Sequence, residues 1–303
     1  MIAHPLRQRE QKSTVLLTID VEDWFQVENF KPWISFSSWN SKELRVEKNV
    51  HCLLDLFDSI TVHQSTTPKV TFFILGWVAK KFPDMVREIV ARGHEVASHG
   101  FNHHLCISQS HDELEQDLVT SKELLEDITG APVIGYRAPS FAINDLVLQV
   151  IEKCGYAYDS SYNSFDKHGR YGTIDLSDAI KMRSAYQLGD NFYELPISNL
   201  SLGGYVLPWG GGGYFRLIPT SVFFFGVRSI LNKQDAYLFY MHPWEIDFEQ
   251  PRVKEASQFF KFRHYVNIKR TEMKMANFIY KFRDCRFMTC SRYLLNDHEE
   301  VIL

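Results

Sequence analysis

The chain has 303 residues, of which 45% are hydrophobic and 14% aromatic, so it can bury a large core and is neither disordered nor fibrous. Its net charge of −4 is small, and no run of Lys or Arg is long enough to follow a phosphate backbone, which excludes nucleic acid as an expected partner. No segment approaches the roughly 20 apolar residues that cross a bilayer.

The N-terminal residues and the cysteines indicate the compartment. Residues 1–12 are polar and charged, and the apolar run at 15–19 is too short for the core of a signal peptide. The five cysteines form no Cys-x-x-Cys pair, and an odd number cannot all pair with one another. Cys106 lies near His103 and could offer a thiolate, but we interpret it as a small buried hydrophobe. We expect a protein of the reducing cytoplasm without a transmembrane segment.

Strand and helix patterns alternate through the first half of the chain. The first run, residues 14–19, is apolar and contains β-branched residues, and it ends in carboxylates. Further strands are predicted at 70–75, 94–98, 133–136 and 156–158, with helices within 41–60 and at 83–91, 110–128 and 144–154. Strands and helices at this spacing predict an α/β fold with a parallel sheet and helices outside, either an open doubly wound sheet or a barrel.

The pattern becomes looser after residue 160. Here the sequence predicts strands at 194–198, 236–241 and 286–289 and helices at 219–231 and 263–282. The four glycines at 210–213 lack the Lys-Ser/Thr of a P-loop and the spacing of a dinucleotide fingerprint, so we interpret them as a flexible turn. Without an internal repeat or a low-complexity linker, the chain is predicted to be a single domain with a C-terminal extension.

Three carboxylates, Asp20, Glu22 and Asp23, follow the first predicted strand within four residues. If the strand continues that far, Asp20 and Glu22 share one face. Such crowding is costly unless a cation neutralises it, so this cluster is a candidate metal site. An exposed acidic turn is the alternative.

His99 and His103 follow the third predicted strand, four residues apart. One helical turn would direct both imidazoles at one point, as in many histidine metal sites. Two unrelated histidines are the alternative when this spacing stands alone. The carboxylates at another strand end favour a shared metal site.

Two further polar groups end predicted strands. Arg137 precedes Pro139, which restricts the turn, and its guanidinium could hold a carboxylate ionised in a bidentate pair. A structural salt bridge is the alternative for Arg137. His242 ends the last buried strand, where it is either a candidate acid or a hydrogen-bonded core histidine.

Four segments together resemble, in order, the motifs of the polysaccharide deacetylase superfamily (NodB-homology, carbohydrate esterase family 4). They are Thr18-Ile19-Asp20-Val21-Glu22-Asp23, His99-x-x-x-His103, Arg137-Ala138-Pro139 and Tyr240-Met241-His242. The resemblance implies a core of about residues 14–245 within a single domain, 1–303. The phrases HEVASHG, GYRAPSF and HPWEID look like the subgroup found with bacterial exopolysaccharide loci, which has its own C-terminal region, here about 210–303.

The resemblance implies an irregular (β/α) barrel of seven or eight strands that binds one divalent metal ion, commonly zinc. The implied roles are the catalytic base for Asp20, the arginine that orients the base for Arg137, the general acid for His242, and metal ligands for His99 and His103. Many members have a second aspartate where this chain has Val21, so the carboxylate ligand is Glu22 or Asp23. Relatives with an Asp-x-Asp version of the motif favour Glu22.

The implied activity is removal of N-acetyl groups from amino-sugar units of a polysaccharide or its precursor. Aromatic residues beside the clusters could stack on sugar rings, although core packing is the favoured role for most of them: Trp24, Phe25, Phe141, Trp209 and Trp244. Two alternatives stay open, a hydrolase of a small non-sugar amide on the same fold and a carbohydrate-binding protein without catalysis. A candidate acid and a candidate base in one chain favour an enzyme.

Overall fold

The computed structural model describes residues 13–165 and 171–295. Its strands are β1 (Thr14–Val21), β2 (Thr71–Ile74), β3 (Glu95–Ser98), β4 (Gly135–Tyr136), β5 (Tyr158–Asp159), β6 (Ile180–Met182), β7 (Ala185–Gln187), β8 (Tyr193–Glu194), β9 (Asn199–Leu202), β10 (Tyr205–Pro208), β11 (Ala236–Met241) and β12 (Arg286–Phe287). Its α-helices are α1 (Val46–Asp58), α2 (Gly76–Lys81), α3 (Pro83–Ala91), α4 (His111–Thr129), α5 (Asp145–Lys153), α6 (Gly212–Leu217), α7 (Thr220–Leu231), α8 (Gln258–Tyr265), α9 (Thr271–Lys281) and α10 (Cys290–Leu295). Residues 1–12, which contributed to the expectation of a cytoplasmic protein, lie outside the described residues.

Ten of these strands form one curled sheet in the order β11, β1, β2, β3, β4, β5, β8, β7, β6, with β12 beside the start of β1. From β11 to β8 every neighbouring pair is parallel, whereas β7 and β6 run antiparallel. Strands β9 and β10 form a separate hairpin. The predicted irregular α/β barrel is confirmed. Since β11 and β12 both pair with β1, the C-terminal region is part of the same sheet.

Side chains of the central strands alternate between two cores, as the two-residue period of a strand requires. The cluster inside the barrel includes, from successive strands, Leu16, Phe73, Ala97 and Leu238. The larger cluster under the helices includes their neighbours Leu17, Phe72, Val96 and Phe239. Thr18 and Asp20 continue the Leu16 side of β1, so Asp20 faces the barrel interior at the carboxyl end of its strand.

Cap residues determine where two of the helices begin. At the start of α4, Ser110 accepts a hydrogen bond from the Glu113 backbone N–H, while the Glu113 carboxylate accepts one from the Ser110 N–H. This helix ends at Gly130, whose φ of 67° is left-handed. Asn144 likewise caps α5 by accepting from the Val147 N–H at 2.9 Å. The predicted α4 and α5 are thus confirmed, and α3 and β11 have the predicted bounds.

The C-terminal half departs from the prediction in two main places. The helix predicted over 263–282 is two helices, α8 and α9, because Asn267 between them adopts a left-handed φ of 55°. The glycine run is not a flexible turn, since Gly211 bridges to Tyr240 and Gly212 begins α6. Several short elements were also missed, because their few residues carry no clear periodicity: α2, α6, α10, β6, β7 and the β9–β10 hairpin. Within the described residues, no helix is both long and apolar enough to span a bilayer.

Candidate metal and catalytic site

The polar residues predicted from the motifs meet at one end of the barrel. Asp20 is the second-last residue of β1, His99 follows β3, Arg137 follows β4 and His242 follows β11. Because these strands all run parallel within one sheet, their carboxyl ends lie at the same end of the barrel. The side chains of Asp20, Glu22, His99 and His242 line one cavity there.

Glu22, His99 and His103 form the centre of this cavity. Glu22 Oε1 lies 3.2 Å from His99 Nε2 and 3.0 Å from His103 Nε2, and all three residues are buried. His99 Nδ1 is 2.7 Å from the Arg137 carbonyl oxygen, so Nδ1 carries the ring proton and Nε2 presents a lone pair to the carboxylate. Two acceptor atoms at this distance require a cation or a proton between them. The donor set of one carboxylate and two imidazoles therefore fits a divalent metal ion.

The histidine pair meets through a tight loop, not through the helical turn that the spacing suggested. Residues 99–103 are not helical, and Gly100 and His103 adopt left-handed φ angles of 72° and 56°. A side chain at Gly100 would also collide with the Asp117 carboxylate, which accepts a hydrogen bond from the Phe101 N–H at 2.9 Å. The spacing was informative, but the predicted local structure was wrong because tertiary contacts with α4 shape the loop.

The structure does not bring Asp23, the alternative carboxylate ligand, into this cluster. Asp23 Oδ2 accepts hydrogen bonds from the backbone N–H groups of Arg45 and Val46, at 2.7 and 3.1 Å, and Oδ1 accepts from Trp24 N–H. Asp23 therefore satisfies the free N–H groups at the start of α1. Burial raises the pKa of Asp23 to about 6, although these three N–H groups act in the opposite direction.

Charges within the cavity favour an ionised carboxylate beside protonated or cation-bound histidines. Burial disfavours the charged form of Glu22, but His103 and His242 outweigh it and hold the pKa of Glu22 well below its usual range. For His103, burial likewise opposes the charge, while the Glu22 carboxylate raises the pKa of the imidazole. The cavity therefore concentrates negative charge at Glu22, where a cation would bind.

Arg137 holds Asp20 on one side of the cluster. Its Nη1 donates to Asp20 Oδ1 and to Thr18 Oγ1, both at 2.7 Å, while Nε and Nη2 donate to the backbone oxygen and the hydroxyl of Ser160, both at 2.9 Å. The guanidinium also lies 4.1 Å from the centre of the Phe73 ring. Because Arg137 is fully buried, these contacts restrict it to one position and hold the Asp20 carboxylate in a fixed orientation.

His242 lies on the other side, oriented by two residues to which the sequence analysis assigned no role. His242 Nδ1 is 2.9 Å from Glu245 Oε1, and Glu245 Oε2 accepts a hydrogen bond from Arg216 Nε at 2.7 Å. Nε2 of His242 faces the cavity, 3.7 Å from Glu22 Oε1. Burial lowers the pKa of His242, but the Glu22 and Glu245 carboxylates raise it to about 9. Without a bound ion, these two carboxylates thus favour the protonated imidazole, the form that a general acid requires.

Two sequence signals could have indicated these positioning residues. Glu245 lies three residues after His242, a spacing at which it accepts the His242 N–H in a tight turn. Arg216 lies in α6, three residues after the last glycine of the run. A Cβ atom at Gly212 would collide with the Glu245 carboxylate, so the glycines permit close approach of the backbone to the site.

The aromatic residues near the motifs divide between core and cavity. Phe141 and Trp244 line the cavity, and the ring of Trp244 stacks on that of His242. The other three are buried in the main core: Trp24, Phe25 and Trp209. Cys106 is also buried, and burial raises the pKa of its thiol to about 12, in keeping with its interpretation as a core residue.

The fold and this cavity together define a class of protein, an α/β barrel with a candidate metal site between a candidate base and a candidate acid. Comparison with known proteins is consistent with this class. Residues 60–158 match the family model described as polysaccharide deacetylase, and residues 160–295 match a domain of unknown function, DUF3473. Residues 60–158 are therefore similar to the polysaccharide deacetylases, and the resemblance to that superfamily predicted from the motifs is confirmed.

Curated relatives match the chain over part of their length. A peptidoglycan deacetylase-like protein of Gibberella zeae is 33% identical over 44% of this chain and 40% of its own length. A peptidoglycan deacetylase of Helicobacter pylori is 34% identical over 31% of this chain and 33% of its own length. A chitooligosaccharide deacetylase of Azorhizobium caulinodans is 29% identical over 37% of this chain and 58% of its own length. The matched segments thus span less than two thirds of these relatives.

A solved structure matches the whole chain. This Mycobacterium smegmatis protein, assigned to the polysaccharide deacetylases, is 20% identical, and the match covers 100% of this chain and 96% of the other with a TM-score of 0.60. At this identity the similarity supports the fold, including the C-terminal region, and not a particular substrate.

Proposed function

We propose that the protein is a metal-dependent hydrolase that removes N-acetyl groups from amino-sugar units of a polysaccharide or its precursor. One observation carries the proposal. A buried cluster of Glu22, His99 and His103 lies in one cavity with an Arg137-held Asp20 and with His242. The polysaccharide deacetylase match over residues 60–158 supports the same activity.

The cluster has the ligands that zinc prefers, two imidazole nitrogens and one carboxylate oxygen, with the cavity open for further ligands. A divalent ion held there supplies a Lewis acid that polarises an amide carbonyl and makes water a better nucleophile near neutral pH. We propose zinc as that ion. Glu22 is the proposed carboxylate ligand, because Asp23 is engaged by the backbone of α1.

Asp20 acts as the base in this proposal. Its carboxylate lines the cavity, and the buried Arg137 guanidinium holds it in place by a hydrogen bond. As the nucleophilic water attacks the acetyl carbonyl, Asp20 accepts the proton that the water releases. Arg137 touches Asp20 and not the cavity, so it acts as a positioning residue.

His242 acts as the acid. Nδ1 faces Glu245, so the proton on Nε2 points towards the cavity. When the tetrahedral intermediate collapses, His242 donates that proton to the departing amine nitrogen. The products are acetate and a free amino sugar.

The surroundings of the cavity support an extended saccharide over a small amide. Three neighbouring cavities share lining residues. The cavity that holds the metal cluster shares three lining residues with a second cavity: Val27, Glu28 and His103. The second cavity shares three others with a third: Lys31, Asn102 and His104. Adjacent cavities that share lining residues offer polar side chains and aromatic rings to a ligand longer than a single amide. A polymer such as an exopolysaccharide is the proposed substrate class.

Acetate release from N-acetylglucosamine oligomers of increasing length, with and without a chelator, tests the proposal. We expect activity that a chelator abolishes and that rises with oligomer length. A small amide hydrolase would show no dependence on length, and a binding protein would release no acetate.

Three variants test the roles of the site residues. Asp20→Asn and His242→Ala should lower kcat by about 10²-fold or more with metal still bound, and His99→Ala should lose the metal. Matched controls at exposed positions are Asp127→Asn and His111→Ala, which should leave both activity and metal content unchanged. Full activity of the first two variants, or metal retention in His99→Ala, would contradict the assignment.

We also propose a cytoplasmic location. The five cysteines, all within the described residues, form no disulfide, as expected in a reducing compartment. Fractionation of cells that produce the full-length protein, with detection by antibody, tests this location.

A further inference from the structure

Two buried carboxyl groups beside the site have no part in the proposed chemistry. Asp159 on β5 and Glu194 on β8 are register partners in the parallel sheet, and both are completely buried. As register partners on adjacent strands, they place their side chains next to each other on the same face of the sheet. An ionised carboxylate can only accept hydrogen bonds, so a contact between two carboxyl groups requires a proton.

The remaining hydrogen bonds leave one oxygen for that proton. Both oxygens of Asp159 accept from Ser161, from its hydroxyl at 2.7 Å and its N–H at 3.0 Å. Glu194 Oε1 accepts from the Tyr162 N–H at 2.9 Å. Glu194 Oε2 is buried and has no donor among the described residues other than a proton shared with Asp159.

The surrounding charges also favour one proton. Arg137 is the cation that acts on both carboxyl groups, but it already pairs with Asp20. Two ionised carboxylates would therefore add two uncompensated negative charges to a buried region, and one shared proton reduces this to one. Burial, followed by the negative charge of Asp159, raises the pKa of Glu194 well above its usual range.

Other titratable groups face the pair from the neighbouring elements. Tyr186 on β7 lies opposite Glu194, and Cys106, before α4, lies within the electrostatic reach of Asp159. Burial raises the pKa of the Cys106 thiol to about 12, and a tyrosine side chain is an uncharged phenol at neutral pH. Neither of these two described groups therefore competes for the proton of the pair at neutral pH.

We propose that Asp159 and Glu194 form a one-proton carboxyl pair that positions Arg137 and, through it, Asp20. The part that concerns Asp20 rests on the proposed function. The pair accepts three hydrogen bonds from Ser161 and Tyr162, and the preceding residue, Ser160, accepts from the Arg137 guanidinium with its backbone oxygen and its hydroxyl. Ser161 Oγ also accepts from the Ala138 N–H, next to Arg137. The pair thus joins the segment that surrounds Arg137 to β8.

The dependence of stability on pH tests for the shared proton without any assay of activity. Above about pH 4.5 the unfolded chain has released the proton that the folded pair still holds. The contribution of the pair to the free energy of unfolding is therefore fully present below that pH and decreases as the pH rises. While the folded pair keeps its proton, its contribution to the unfolding equilibrium constant rises about tenfold per pH unit. Urea unfolding between pH 5 and 9 measures this slope.

Glu194→Gln and a surface control separate the outcomes. The amide introduced by Glu194→Gln donates where the proton lay and its oxygen still accepts from Tyr162, so the variant should match the wild type near pH 5, exceed it at pH 8 and lose the slope. The control Glu123→Gln, at an exposed position, should keep the wild-type slope. An unchanged slope in Glu194→Gln would overturn the shared proton.

Kinetics test the positioning role. Glu194→Gln should keep kcat within about twofold of the wild type. Glu194→Ala should lower kcat at least tenfold, while KM changes less than threefold and the metal content stays the same. If the Glu194→Ala variant does not fold, Glu194→Asp is used in its place. An equal loss in the Gln and Ala variants, or a change in KM alone, would overturn the positioning role. If the wild type releases no acetate, the proposed function fails while the pH slope still decides the shared proton.

Discussion

Removal of the Arg137 guanidinium should destabilise the fold more than any surface substitution. The buried side chain makes four hydrogen bonds, to Asp20, Thr18 and both oxygens of Ser160, and it lies against the Phe73 ring. Arg137→Met keeps much of the apolar volume but leaves the buried Asp20 carboxylate without its cation. Breaking a buried ion pair from one side costs about 3–5 kcal/mol.

That loss is a large part of the total stability of a domain, which is about 5–15 kcal/mol. Urea unfolding at pH 7, followed by fluorescence and by circular dichroism, measures it as a change in the free energy of unfolding. Arg228→Met, at an exposed position of α7, is the matched control and should change stability by less than about 0.5 kcal/mol.

A double-mutant cycle separates the ion pair from the loss of packing. Asp20→Asn alone leaves the Arg137 cation uncompensated, whereas Asp20→Asn with Arg137→Met removes both charges. The summed losses in unfolding free energy of the two single variants should therefore exceed the loss in the double variant by at least about 2 kcal/mol. A loss below about 1 kcal/mol in Arg137→Met, or additive single effects, would refute the view that this buried pair holds Asp20.

Three further outcomes follow from single contacts. Asp23→Ala should lower the free energy of unfolding by about 1–2 kcal/mol, because it removes the hydrogen-bond acceptor at the start of α1. Metal analysis of this variant should show that the ion is retained. Loss of the ion would instead identify Asp23 as a ligand. Gly212→Ala should displace Glu245 and lower kcat about tenfold, and an unchanged kcat would show that the close approach is not needed. Burial lowers the pKa of His94 to about 4, so as the pH falls the unfolded chain binds a proton at this histidine before the folded chain does. The free energy of unfolding should therefore decrease from pH 6.5 towards pH 4 by up to about 1.4 kcal/mol per pH unit. His94→Gln should reduce this pH dependence in acid unfolding, and an unchanged dependence would contradict a buried neutral His94.

Local patterns were sufficient for much of the fold and for the selection of site residues. The caps at Ser110 and Asn144 and the apolar run of β11 act within a few residues, so the sequence alone predicted these elements. The break at Asn267 was missed, because a left-handed residue inside an amphipathic pattern leaves no periodic signal. The polar residues at strand ends were likewise recognisable, since parallel strands carry their chemistry at one end.

What the sequence by itself determined was the alternating α/β pattern and the short motifs that contain Asp20, His99, Arg137 and His242. Only the tertiary structure decided how their side chains are used. It directs Glu22 to the histidines and Asp23 to the α1 backbone, although the two are neighbours in one motif. The reason is that hydrogen bonds and buried charges are balanced between residues distant in the chain, and no local pattern records such partners.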